Sequence, residues 1–243
     1  MRIAVVKPDH NITGGFEIVV DKLIKGLKAR GYDVDIIRVD VTKNFHKFLC
    51  MPIPDFVYET NNFFFDYLNN IIEFRHLKLE AYDVVISTQP PSFAINHPRH
   101  ISFFYHHQKM YYDLHDLILQ QTTGSFKKIM QKTSAAIVRW IDSKYLNNEI
   151  YFLAGSKHIK MRLNKFNGLD RNVSVCYAGI DEDFLNFSGE YSFNFPICVG
   201  RHENPKRTEL FIHAMKHLPA LQGNVIGKGG LTANLQKIDS YLT

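Results

Sequence analysis

The sequence predicts an α/β protein built on a doubly wound, mainly parallel sheet. Short apolar runs of strand length recur at 3–6, 34–39, 82–87, 101–105, 149–154 and 173–177. Several are continuously apolar, the mark of a strand buried on both faces. The segments between them are longer, and the best of these carry apolar residues at helical spacing. Glycines punctuate the first alternation: Gly14-Gly15 open the first helical segment, and Gly31 closes it where a left-handed cap belongs. Repeated alternation of this kind argues for a parallel sheet of six or seven strands with helices on both faces.

The stretch 1–39 is a complete βαβ unit. After the strand at 3–6, the helix is fixed by Phe16, Val19, Val20, Leu23, Ile24 and Leu27, and 34–39 returns as a strand. Residues 43–74, crowded with Phe and Asn, predict an irregular connection and a helix. The strand at 82–87 ends on Thr88-Gln89-Pro90-Pro91, and the strand at 101–105 leads into His106-His107. Helices follow at 111–121 and 126–145, the second with Ile129, Ile137 and Ile141 assigned to one face. After the strand at 149–154, Ser156 is the expected N-cap of a helix to residue 166. A polar stretch, 186–194, reads as the end of the first unit and a linker, so the expected domains are 1–187, a linker at 188–194, and 195–243. The last segment restarts with strands at 195–199 and 224–226, a helix at 208–218, a glycine loop at 227–230 and a helix at 231–242.

The 243 residues are 45% hydrophobic, enough for a core. No apolar run reaches the length of a membrane span, and the first run is too short for a secretory signal. The expectation is a cytoplasmic protein, either free or peripheral at the inner face of the membrane. Cys50, Cys176 and Cys198 are widely spaced and predict neither a disulfide frame nor a metal site; the latter two sit in apolar runs and read as core. Charge is concentrated: between His97 and Lys165 there are eleven Lys or Arg against four Asp or Glu, an excess of seven, whereas the whole chain carries +5. A basic region of this kind attracts phosphates or an anionic membrane surface. Lys127, Lys128, Lys132, Arg139 and Lys144, interleaved with Phe126, Ile129, Met130 and Trp140, suit either a membrane surface or a helix packed on the sheet. No nucleic-acid reading motif accompanies them.

Gly14 and Gly15 are the first candidate binding residues, because a glycine loop between a strand and a helix presents amides to an anion. No GxGxxG dinucleotide fingerprint is present. Arg201 and Lys206 follow a strand and open a helix, where a bound anion would offset the cost of cations near a helix N-terminus. His106 and His107 are adjacent, so on a continuing strand only one faces outward.

Four stretches carry a family resemblance. They are the Gly14-Gly15 loop, the run ISFFYHHQKMYYD with Tyr105-His106-His107, the runs FLAGSKHIKMRL and VSVCYAGID, and VGRHENPKRTELFIHAM. In this order they resemble glycosyltransferase family four, whose GT-B fold sets two Rossmann-like domains face to face. The resemblance implies a retaining, metal-independent hexosyltransferase with no cofactor, taking a nucleotide sugar as donor and a glycan or lipid-linked acceptor, in polysaccharide or glycolipid assembly. It implies that the first domain is the acceptor side and that 195–243 is the opening βαβα part of the nucleotide-sugar domain. By the same resemblance Gly14, Gly15, Arg201 and Lys206 hold the diphosphate, and the Tyr-x-His spacing selects His107 as the residue at the transferring sugar. Aimed donors and cations of this kind are typically worth about 3–4 kcal/mol each.

A full second domain takes roughly 150 residues, and the family's Glu-x7-Glu pair does not occur after Gly230. The expectation is therefore a truncated chain, or a split enzyme completed by a second chain, with little turnover alone. Two other readings stay open: a non-catalytic partner- or membrane-binding subunit, and a GT-B sugar-nucleotide epimerase.

Overall fold

A computed structural model describes residues 1–10, 14–43, 45–48, 51–147, 149–179 and 195–239. The chain divides into two compact units, Met1–Ile180 and Asp181–Thr243.

The first unit is a six-stranded sheet in the order β2-β1-β5-β6-β7-β8. Its strands are β1 (Arg2–Asp9), β2 (Asp33–Asp40), β5 (Val84–Ser87), β6 (His100–Phe104), β7 (Tyr151–Ala154) and β8 (Val173–Val175). All five pairings are parallel. Helix α1 (Gly15–Ala29) connects β1 to β2. The chain then crosses to the other side of β1 through a two-stranded hairpin, β3 (Lys47–Phe48) with β4 (Met51–Pro52), and helices α2 (Asp55–Thr60) and α3 (Asn62–Arg75). Helices α4 (His115–Gln121) and α5 (Ser125–Tyr145) lead from β6 to β7, and α6 (Lys157–Asn167) leads from β7 to β8.

Side-chain alternation along β1 builds two cores. Ile3 and Val5 join Val20 and Ile24 of α1, with Val34, Ile86 and Phe103. Ala4 and Val6 face the opposite side, with Leu68, Ile71 and Phe74 of α3, Ala135 and Val138 of α5, and Leu163 of α6. The hand of parallel crossovers accounts for this: α1 belongs to a step in one direction along the sheet, the later helices to steps in the other. Phe104 and Phe152 stack edge to face beneath the second set, 6.2 Å between ring centres. Deleting a ring so buried typically costs about 3–5 kcal/mol.

The second unit pairs β9 (Ile197–Val199) with β10 (Asn224–Ile226) in parallel. Helices α7 (Thr208–Lys216) and α8 (Thr232–Asp239) accompany them, burying Ile212, Met215 and Leu235, while Ile197, Val199 and Ile226 stay exposed.

Several elements differ from their sequence reading. The connection after β2 is a hairpin and two helices, because the polar side chains of α3 are structural: Asn69 Nδ2 donates to the Lys47 and Phe65 carbonyls, pinning the hairpin to the helix. The start of the helix expected at 111 is a separate 3₁₀ turn, Lys109–Tyr111. Cys176 and Cys198 are half-buried, not core. On α5, Ile141 packs inward while Ile129 and Ile137 face outward. The linker at 188–194, the boundary at 187 and Cys50 lie outside the described residues.

Candidate functional site

Strand order makes β1 the switch point, with β2 on one side and β5 on the other. The connections leaving its carboxyl edge diverge there and open a crevice. A pocket of about 370 Å³ occupies it, lined by His10 after β1, Thr42 after β2, Gln89, Pro90 and Pro91 after β5, and His106 and Gln108 after β6. Asn62, Phe63, Asp66, Tyr67 and Asn70 of α3 form its side wall. The volume falls in the range of small-molecule sites. A hollow of about 470 Å³ around Tyr82, His97 and Arg99 lies at the amino edge of the same strands, away from the loops that diverge at the switch point.

The wall is held by specific bonds. Thr88 donates from Oγ1 to the Val6 carbonyl, and its amide donates to Ser92 Oγ, which fixes the turn after β5. The peptide bond between Pro90 and Pro91 is cis. The Tyr58 hydroxyl donates to the Asp66 carboxylate at 2.7–2.8 Å, and the Phe45 amide donates to it at 3.1 Å. Asn70 is different. Its side chain is 5% exposed, yet its Oδ1 has no partner among the described residues. A buried acceptor left unpaired is worth about 1–3 kcal/mol to whatever donor reaches it.

Behind the wall, α3 and α5 share a buried network. Tyr67 and Tyr112 each donate a hydroxyl to Asp142 at 2.9 Å. Burial raises the Asp142 carboxyl to about 7, against the two tyrosine bonds, which lower it.

Gly14 precedes α1, and neither it nor Gly15 is among the residues lining the pocket. The Gly14 amide donates to Glu17 Oε2 at 2.9 Å, and Gln89 Nε2 reaches Glu17 Oε1 at 3.4 Å. Glu17 is thus the helix's own cap, placing a carboxylate where an anion on Gly14 would sit. The amides of Gly15, Phe16 and Glu17, in the first turn, have no intrahelical acceptor by helix geometry.

The two histidines take the opposite orientations from those expected. His107 is 1% exposed, caged by Phe104, Tyr112 and Phe166. Its Nε2–H donates to Asn167 Oδ1 at 2.8 Å, and burial lowers its imidazole to about 4. His106 is the one that lines the pocket, its Nδ1–H donating to the His107 carbonyl at 2.9 Å, and burial also lowers its pKa. The reason is local: β6 ends at Phe104, so strand alternation does not continue through the pair, and the Tyr-x-His spacing that selected His107 does not fix which ring faces the pocket.

In the second unit, Arg201 and Lys206 are both exposed, on the loop and 3₁₀ turn that follow β9. The loop at 227–230 closes on this segment. The Leu231 amide donates to the His202 carbonyl, and the Gly230 amide to Glu203 Oε1 at 3.2 Å. A Cβ on Gly227 would fall 1.8 Å from the Gly200 carbonyl oxygen, so only glycine fits there. Among the described residues no three His, Cys, Asp or Glu side chains converge to hold a metal ion. Missed by sequence reasoning were Asn70, Asp66, Gln89 and Glu17. The spacing of Asn62, Asp66 and Asn70, four residues apart, was the available signal for a polar stripe on one helix face.

A polar pocket at the carboxyl edge of a parallel switch point, beside a glycine-opened helix, defines a Rossmann-like domain that holds its ligand between loops. The sequence model of Glycosyltransferase Family 4 matches residues 13–184. The chain belongs to that family, and its first unit is a Rossmann-like GT-B glycosyltransferase domain. Such a domain works between a sugar donor and an acceptor. No curated protein matches the chain significantly.

Proposed function

We propose that the chain transfers a sugar from a nucleoside diphosphate to a glycan or lipid-linked acceptor, with retention and without a metal, residues 1–187 taking the acceptor and 195–243 the donor diphosphate. The observation that carries the acceptor side is the unpaired, buried Oδ1 of Asn70 in a pocket that mixes amides, a carboxylate and imidazoles with aromatic rings and prolines. A sugar hydroxyl is a suitable donor to Asn70, and the ring faces suit Phe63 and Tyr67. His106, not His107, is assigned to the acceptor hydroxyl, because a largely neutral imidazole at the pocket wall accepts a proton at neutral pH.

On the donor side, transfer leaves charge on the departing diphosphate. In the second unit Arg201 and Lys206 suit that charge; in the first, the first-turn amides of α1, beginning at Gly15, suit an anion. The Glu17 carboxylate competes with that anion at Gly14. This contact favours a second reading, a subunit of the fold that has given up donor binding for a partner role.

Saturation-transfer NMR on the purified chain separates the two. The first reading expects nucleoside diphosphates to bind and Arg201→Ala/Lys206→Ala to remove that binding, while short glycans contact the pocket and lose contact in His106→Ala. Glycan binding without any diphosphate binding supports the second reading. Neither ligand binding refutes both.

A further inference from the structure

The pocket at the switch point is short of positive charge, although the chain as a whole carries +5. Among the described residues that line it there is no Lys or Arg, and its one formally charged group is the Asp66 carboxylate. The imidazoles supply no cation at neutral pH, since desolvation holds both His10 and His106 below their ordinary 6.5. Around His10 the acidic Glu17 and Asp9 outweigh Lys7. The cations that His106 senses lie outside the pocket lining: Arg162 is paired with Asp113, and Lys109 is exposed. Lys43, which follows the lining Thr42, lies 3.9 Å from Glu73.

What the wall does offer is hydrogen-bond acceptors. Asp66 and Asn70 are four residues apart in α3, which sets them on one helix face with about 5–6 Å between their Cβ atoms. Asn70 is buried, and its Oδ1 has no partner among the described residues. Asp66 receives the Tyr58 hydroxyl, shared between both carboxylate oxygens at 2.7 and 2.8 Å, and the Phe45 amide at 3.1 Å. An ionised carboxylate has about four acceptor positions and no donor, so these two donors leave room for a third. Neighbouring hydroxyl groups on a sugar ring present two donors side by side. A phosphate or carboxylate on that ring brings a second negative charge to Asp66 with no lining cation to offset it, and a like-charge contact in a partly desolvated site discriminates strongly.

We propose that Asp66 and Asn70 make this pocket selective for an acceptor sugar that carries no phosphate or carboxylate, held through adjacent hydroxyl groups. The inference rests on the reading of the pocket as the acceptor site and narrows it: on a lipid-linked acceptor, an uncharged sugar enters and the phosphate-bearing end stays outside.

Ligand-observed NMR on the whole chain tests this with methyl glucoside, galactoside and mannoside, each beside its sugar phosphate, and with methyl glucuronide. Each charged ligand is read by its power to displace the neutral one, so that phosphate held elsewhere on the basic surface does not count. At least one neutral glycoside should bind, and its charged counterparts should compete at least about tenfold more weakly. Asp66→Asn keeps the shape and removes the charge: it should weaken the neutral sugar about tenfold, the scale of a hydrogen bond to a charged group, and bring the charged and neutral ligands close to parity. Mere damage to the α3 wall would weaken both and leave their ratio unchanged, which would remove Asp66 from the selectivity. The comparison in the unaltered chain stands even where the variant fails to fold. A charged ligand that competes as well as its neutral counterpart overturns the inference and leaves the acceptor reading in place. Absence of binding by every glycoside removes the acceptor reading itself, and this inference with it.

Discussion

Replacing Asp142 by Asn should stabilise the protein at alkaline pH and leave it nearly unchanged at acid pH. The carboxyl is 1% exposed and receives two tyrosine hydroxyls, with no cation among its hydrogen-bond partners. Burial carries it from its ordinary 3.8 to about 7. Because the folded state holds the proton more tightly than the unfolded chain, stability falls as pH rises from about 4 to about 7, and stays reduced above that. At about 1.4 kcal/mol for each tenfold change in proton affinity, the full loss is on the order of 4 kcal/mol. An Asn at this position keeps an acceptor for one tyrosine and never ionises. It should therefore recover part of that loss, about 1–3 kcal/mol at pH 8, and about 2–3 kcal/mol less than that at pH 5, where under half of the loss has accrued. Urea unfolding of both proteins at half-unit steps from pH 5 to 8.5 measures this directly. If Asp142→Asn destabilises by the same amount at pH 5 and pH 8, the carboxylate is not the unfavourable charge argued here. Asp142→Ala leaves both tyrosine hydroxyls unpaired and should destabilise at pH 5, but by less at pH 8, because it removes the same unfavourable charge.

Asn70→Ala should lower the affinity for a pocket-bound glycan threefold to tenfold, the worth of one hydrogen bond, by titration calorimetry; unchanged affinity would remove Asn70 from the site. His107→Phe should cost about 1–3 kcal/mol, because the larger ring overpacks the cage, and leave ligand contacts intact, while His107→Ala costs about 3 kcal/mol. The lowered imidazole means that stability from neutral His107 is present above about 6.5 and is lost as pH falls towards 4, so His107→Phe should flatten the acid limb of the stability curve. Gly155→Ala places a Cβ 2.8 Å from the Tyr105 ring; overpacking of about 1–3 kcal/mol should appear in calorimetry as a lower midpoint. Gly168 caps α6 at φ 69°, and Gly168→Ala should lose about 1 kcal/mol in chemical denaturation.

The opening βαβ unit was legible because every signal in it agrees: Val5 and Val6 are fully buried on opposite faces, and Val20 and Ile24 repeat at helical spacing. The later connection was not, since its information lies in which asparagines are buried. Asn69 and Asn70 look like surface residues in sequence, yet each is 5% exposed, one tied to a hairpin and the other in the pocket wall. His106 and His107 could not be told apart from spacing, because the deciding fact is where β6 stops. Two apolar stripes on α5 were visible as residues but not as faces; only packing reveals which one the sheet takes.

The strand order has a consequence for how ligands of this protein are to be found. The pocket's walls come from connections at His10, Thr42, Gln89 and His106 and from α3, drawn together by pairings such as Ile3 with Val84 that are distant in sequence. No fragment of the unit contains the cavity, so any molecule that fills it binds only the assembled sheet. Occupancy is then linked to global unfolding: at a hundredfold excess over its dissociation constant, a ligand adds about 2.7 kcal/mol. A mixture of glycans and lipid-linked saccharides can thus be ranked by melting temperature alone, before any reaction has been detected.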